Sequence, residues 1–132
     1  MMRQLPFSLL LLCAHLAAAS DMVSPKSIKV QLFAAPAFVS EVSVDAPNNQ
    51  CLSLDNNLID GSVQSVLVGG HDVASVIKRD DSWSCRFFGE YECKDNGGDY
   101  LTIPDGVNSL ASIGWGTRIH SLRCRNFALP GP

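Results

Sequence analysis

Val63-Gln64-Ser65-Val66-Leu67-Val68, stopped by Gly69-Gly70, has a counterpart in Ile119-His120-Ser121-Leu122-Arg123-Cys124, with Ser65 and Ser121 standing 56 residues apart. Both stretches have strand length, and each carries its serine in the middle of a largely apolar run. Working outward, the first is preceded by Ile28-Lys29-Val30-Gln31-Leu32-Phe33, which alternates, and by Glu41-Val42-Ser43-Val44-Asp45, ended by Pro47-Asn48-Asn49. A weak third run, Cys51-Leu52-Ser53-Leu54, stops at Asp55-Asn56-Asn57. The second half repeats this scheme. Cys85-Arg86-Phe87-Phe88 leads to the turn Lys94-Asp95-Asn96-Gly97-Gly98, then Asp99-Tyr100-Leu101-Thr102-Ile103 stops at Pro104-Asp105-Gly106, and Val107 to Leu110 forms a short run.

The halves keep step. Pro47 lies 18 residues before Ser65 and Pro104 lies 17 before Ser121, while Phe33 and Phe88 are 55 apart. No window shows a capped helical period, so the pattern is all-β with an internal repeat. Four short strands bury too little apolar surface to stand alone. Two such sets can form a sandwich with one shared core. The segment His71 to Ser82 is charged and mixed, and reads as a connection or an edge strand.

With 132 residues the chain is one domain, and 46% hydrophobic against 17% charged positions exclude a disordered tail or a coiled coil. Ten basic residues face 13 acidic ones without a basic block, which excludes nucleic acid as a partner because phosphate contacts need clustered Lys and Arg. The N-terminus begins with Arg3, runs apolar from Leu5 to Leu12, and offers Ala17-Ala18-Ala19-Ser20 as small residues for cleavage. This is the build of a secretory signal peptide over residues 1–20, too short in its apolar part to span a bilayer. The expected mature domain is 21–132, secreted and extracellular, without a membrane span or an N-x-[ST] sequon. Cys13 leaves with the leader, and the remaining Cys51, Cys85, Cys93 and Cys124 form an even set. In an oxidising compartment four cysteines read as two disulfides, with three pairings open.

The paired halves resemble the βγ-crystallin family, two Greek-key motifs in one domain, over about Ile28 to Cys124. The aromatic-aromatic-glycine hairpin signature is matched by Phe33 and Phe38 with Ser40 at the glycine position, and by Phe88 and Cys93 with Gly97 and Gly98 displaced. Ser65 and Ser121 match the serine that pins the folded hairpin, and Trp115 matches the aromatic before the last strand. The likeness extends to small secreted fungal members through Cys85 to Cys93 and Trp115 to Cys124. It implies motif one over 28–68, a connection over 69–84 and motif two over 85–124. Each motif's third strand would then join the other's sheet. That placement implies Cys51 paired with Cys124 and Cys85 paired with Cys93.

The resemblance also raises calcium, which needs a shell of oxygen ligands. The family loop [ND]-[ND]-x-x-[ST]-S aligns with Asp60-Gly61-Ser62-Val63-Gln64-Ser65 and Gly116-Thr117-Arg118-Ile119-His120-Ser121. Gly61, Gln64, Gly116 and His120 depart from it and Arg118 adds positive charge, leaving Asp60 and Gln64 as the calcium ligands on offer. Hydrolytic chemistry is no better served. His120 and Ser121 are adjacent on a strand and point to opposite faces, and there is no G-x-S-x-G elbow for His71-Asp72 to serve. Glu90 with Glu92, and Asp80 with Asp81, read as solvated charge rather than a glycosidase pair. Phe87 and Phe88 cannot both face one core, so one is either an exposed anchor or covered by Trp83 or Tyr91. The chain is therefore expected to be a non-catalytic secreted protein of antimicrobial, toxin or effector type, binding an extracellular protein, glycan or cell-surface target. A calcium-binding or structural protein is the alternative, and a protease inhibitor using the His71-to-Ser82 segment is a third.

Overall fold

A computed structural model describes residues 22–130; the leader expected over residues 1–20 lies outside them. Eight strands form two antiparallel four-stranded sheets. They are β1 (Ser27–Ala35), β2 (Val39–Pro47), β3 (Cys51–Ser53), β4 (Ser65–Val68), β5 (Trp83–Phe88), β6 (Tyr100–Ile103), β7 (Gly106–Val107) and β8 (Ser121–Asn126). The orders β2-β1-β4-β7 and β3-β8-β5-β6 show each motif's short third strand exchanged into the other motif's sheet. This is the two-Greek-key sandwich that the family resemblance implies. The exchange has a packing reason: neither half closes its own sheet, and β3 and β7 each complete the neighbour's.

Alternation decides which residues fill the interior. Ile28, Val30 and Leu32 from β1, Val66 and Val68 from β4, Phe87 from β5 and Leu122 from β8 meet Trp83, Leu54 and Leu110 in one core. Trp83 is buried, and its indole nitrogen donates to Ser24 O at 3.1 Å. Phe87 faces the core, whereas Phe88 lies on the opposite face and is covered by Tyr100, with ring centroids 5.7 Å apart. Trp83 lies on the core face and is not the cover.

The disulfides differ from the expected pairing: Cys51 joins Cys93 and Cys85 joins Cys124. β3 does lie beside β8, but its register sets Cys51 opposite Arg123, not Cys124. One residue of offset moves a side chain to the other face of a sheet. Cys124 thus points into the core, where it faces Cys85 directly across β5 and β8, and both are fully buried. Cys51 points outward and meets Cys93 in the 3₁₀ turn Tyr91–Cys93, folded over that outer face.

The connection between motifs is not an edge strand. Val73–Ile77 forms a short helix, α1, whose N-cap Asp72 accepts from Ser75 N at 2.8 Å. Val76 packs with Phe33 and Leu67 on the outer face of the first sheet, with Phe38 beside them. Arg79 then ties the segment down. Its guanidinium donates to Val68 O and Pro104 O and is paired with Asp81, so it bridges both motifs. In the stretch considered for a protease inhibitor, Val76 and Arg79 are anchored and the other residues of His71 to Ser82 are exposed.

Candidate functional site at the junction of the motifs

The two serines occupy equivalent places. Ser65 stands opposite Phe33 and Ser121 opposite Phe88, each fully buried. Ser65 Oγ donates to Ala35 O at 2.8 Å and accepts from Phe38 N at 3.2 Å. Ser121 Oγ donates to Glu90 O at 2.6 Å and accepts from Cys93 N at 2.9 Å. Each hydroxyl thus satisfies the two backbone groups freed where the hairpin folds over its sheet. The fold-over forces positive φ at Ala37, Phe38 and Ser40 in one hairpin and at Glu92 and Cys93 in the other. These side chains occupy backbone conformations that glycine adopts at less cost, and the serine bonds and rings help hold them. Phe33 and Phe38 meet edge to face at 5.4 Å.

The same equivalence explains the degenerate loops. Gln64 N donates to Phe33 O and His120 N to Phe88 O, so Gln64 and His120 are counterparts. Each lies against the other motif's loop. His120 Nδ1 is 2.7 Å from Asp60 Oδ1, and Gln64 Oε1 approaches the backbone at Gly116. Asp60 and Gln64 therefore belong to two pseudo-symmetric places rather than to one shell. Both oxygens of the Asp60 carboxylate are engaged, because Tyr91 Oη donates to the second at 2.6 Å. The Tyr91 and His120 rings lie 4.8 Å apart. Partial burial pushes the Asp60 carboxyl up, but hydrogen bonds from Tyr91 and His120 and the His120 charge outweigh it and hold the group below its usual value. Its hydrogen bond to Asp60 raises the Tyr91 phenol.

The remaining candidates are committed elsewhere. Ser121 Oγ turns away from His120 to backbone, and Asp72 caps α1 rather than orienting His71. Glu90 accepts from Asn96, and Asp81 holds Arg79. Among the described residues no three His, Cys, Asp or Glu side chains gather into a metal-binding group. Sequence reasoning missed the Asp60–His120–Tyr91 junction. The aligned positions of Gln64 and His120 were its available signal, but which loop each would face depends on strand exchange.

No family model matches the chain, and no curated protein matches it. Solved structures do. A domain described under the evolution of the eye-lens βγ-crystallin fold aligns at 15% identity and TM-score 0.55, covering 80% of this chain and 92% of that one. A βγ-crystallin domain from Flavobacterium johnsoniae aligns at 8% identity and TM-score 0.54, covering 76% and 98%. A βγ-crystallin domain of the abundant perithecial protein of Neurospora crassa, in its Ca2+-bound form, aligns at 17% identity and TM-score 0.50, covering 80% and 93%. The likeness is one of fold: the chain is a βγ-crystallin-like sandwich.

Proposed function

We propose that the domain over 21–132 is a secreted, non-catalytic protein of antimicrobial, toxin or effector type that acts by binding an extracellular protein, glycan or cell-surface target. One observation carries this reading. The chemistry-bearing side chains at the motif junction, Asp60, His120, Tyr91 and Ser121, are spent on holding the two motifs and a hairpin together. A catalytic base needs an acceptor free for a substrate proton, and a nucleophile needs a base within reach. Two disulfides on so small a domain favour the extracellular, oxidising setting. The test is to apply the oxidised mature protein, and the same protein reduced and alkylated, to microbial cultures and host cells. Growth inhibition or a host response to the oxidised form alone is expected. No effect of either form overturns the effector reading.

The competing reading is a calcium-binding extracellular protein with Asp60 and Gln64 as ligands, favoured by the calcium-bound Neurospora domain of like fold. Calcium would have to compete with Tyr91 and His120 for Asp60. Calorimetry is expected to give no heat with calcium; micromolar binding would reverse the ranking.

A further inference from the structure

We propose that the outer face of the second sheet holds a binding pocket for a tetrahedral oxyanion, a sulfate or phosphate ester carried on a sugar. Alternation sends Arg123 and Arg125 of β8 and Arg86 of β5 to this one face. The register places Arg86 directly opposite Arg123, with Arg125 opposite Ser84. Like charges facing each other across a sheet are unfavourable. Yet, in a chain acidic overall with 13 Asp and Glu against 10 Lys and Arg, no carboxylate lines the depression among the described residues. Among the described residues its ion pairs go to Lys29, Arg79, Arg118 and His120, and none to these three arginines. An external anion would remove the repulsion.

The arginines are preorganised rather than loose. The Arg86 guanidinium stacks on Tyr100 at 4.7 Å, and that of Arg125 on Phe127 at 4.8 Å. Between them Arg123 is half-buried, and no nitrogen of its guanidinium makes a hydrogen bond or ion pair among the described residues. An unspent guanidinium donor is costly and suits an oxyanion, which accepts bidentate, charge-assisted bonds. The face is also concave, a depression of about 250 Å³. Asn49, Ser84 and Thr102 line it with groups that can bond sugar hydroxyls. A bilayer fits less well, because of the large apolar side chains exposed among the described residues the depression is lined by Phe127 alone.

The test is titration of the oxidised protein, followed by amide resonances, with a sulfated disaccharide, its unsulfated counterpart and vesicles containing phosphatidic acid. The sulfated sugar is expected to shift residues of β5 and β8 saturably, and the unsulfated sugar to leave them unchanged. Arg123→Gln should weaken binding at least about tenfold through loss of the charge-assisted bonds, while Lys29→Gln leaves it unaltered. Arg86→Gln, at an exposed position, decides the matter if Arg123→Gln fails to fold. Equal binding of the unsulfated sugar, no shift with the sulfated one, or unchanged affinity in both arginine variants overturns the proposal. Vesicle binding without sulfated-sugar binding assigns the face to a membrane and equally overturns it.

Discussion

Replacing Cys51 and Cys93 together by alanine tests the disulfide arrangement on which the domain rests. Their bridge closes a loop with a sequence separation of 42 residues. In the chain-entropy account such a crosslink contributes about 4 kcal/mol by restricting the unfolded chain. The Cys85–Cys124 bridge interlocks with it, but the route from Cys51 to Cys93 through that second bridge is longer than the direct chain. The intact partner therefore leaves the effect undiminished. Both side chains are half-buried on the outer face, so alanine adds little packing loss. Stability of domains this size is about 5–15 kcal/mol, so the variant should remain folded but much weakened. In urea the midpoint should fall by about 3 M for a slope near 1–1.5 kcal/mol/M. Trp83 and Trp115, 3% and 7% exposed, report the transition by fluorescence. A loss below about 1 kcal/mol would refute the reasoning, because it would mean that the bridge does not constrain the unfolded chain as that account requires. Peptide mapping that links Cys51 to Cys124 would refute the register itself.

The corresponding Cys85→Ala, Cys124→Ala variant should cost about 1–2 kcal/mol more than the first, since its sulfurs fill fully buried space; parallel urea curves measure the difference. Ser65→Ala and Ser121→Ala should each cost about 2–4 kcal/mol by stranding a backbone donor and acceptor, with costs matched between motifs in chemical denaturation. Arg79→Ala should cost about 2–3 kcal/mol and speed hydrogen exchange in α1, because it releases carbonyls of both motifs and unpairs Asp81. Asp60 is held below its usual value, so its contribution is present above the unfolded value of 3.8 and lost as pH falls through the folded value. Asp60→Asn should therefore flatten the acid limb of stability against pH; an unchanged limb would show that the junction adds nothing.

The repeat itself was legible from residues alone. Strand period, turn residues and the spacing of Phe33 to Phe88 and Ser65 to Ser121 are local properties, and they carried through to eight strands in two equivalent motifs. The helix at Val73–Ile77 was not legible, because five residues are too few for a period; its cap and the Val76 contact hold it. The junction was hidden for a different reason. Asp60 meets His120 across 60 residues of chain, and only the exchange of short strands brings those loops together.

Sequence by itself determined an all-β, two-motif sandwich, because alternation and turns are written in neighbouring residues. Tertiary structure alone decided which sulfurs join and where three arginines converge. Both outcomes turn on register, and a shift of one residue between β3 and β8 sends Cys51 outward while Cys124 stays inside. Register is fixed by the sum of contacts between distant strands, and no local stretch of chain contains it.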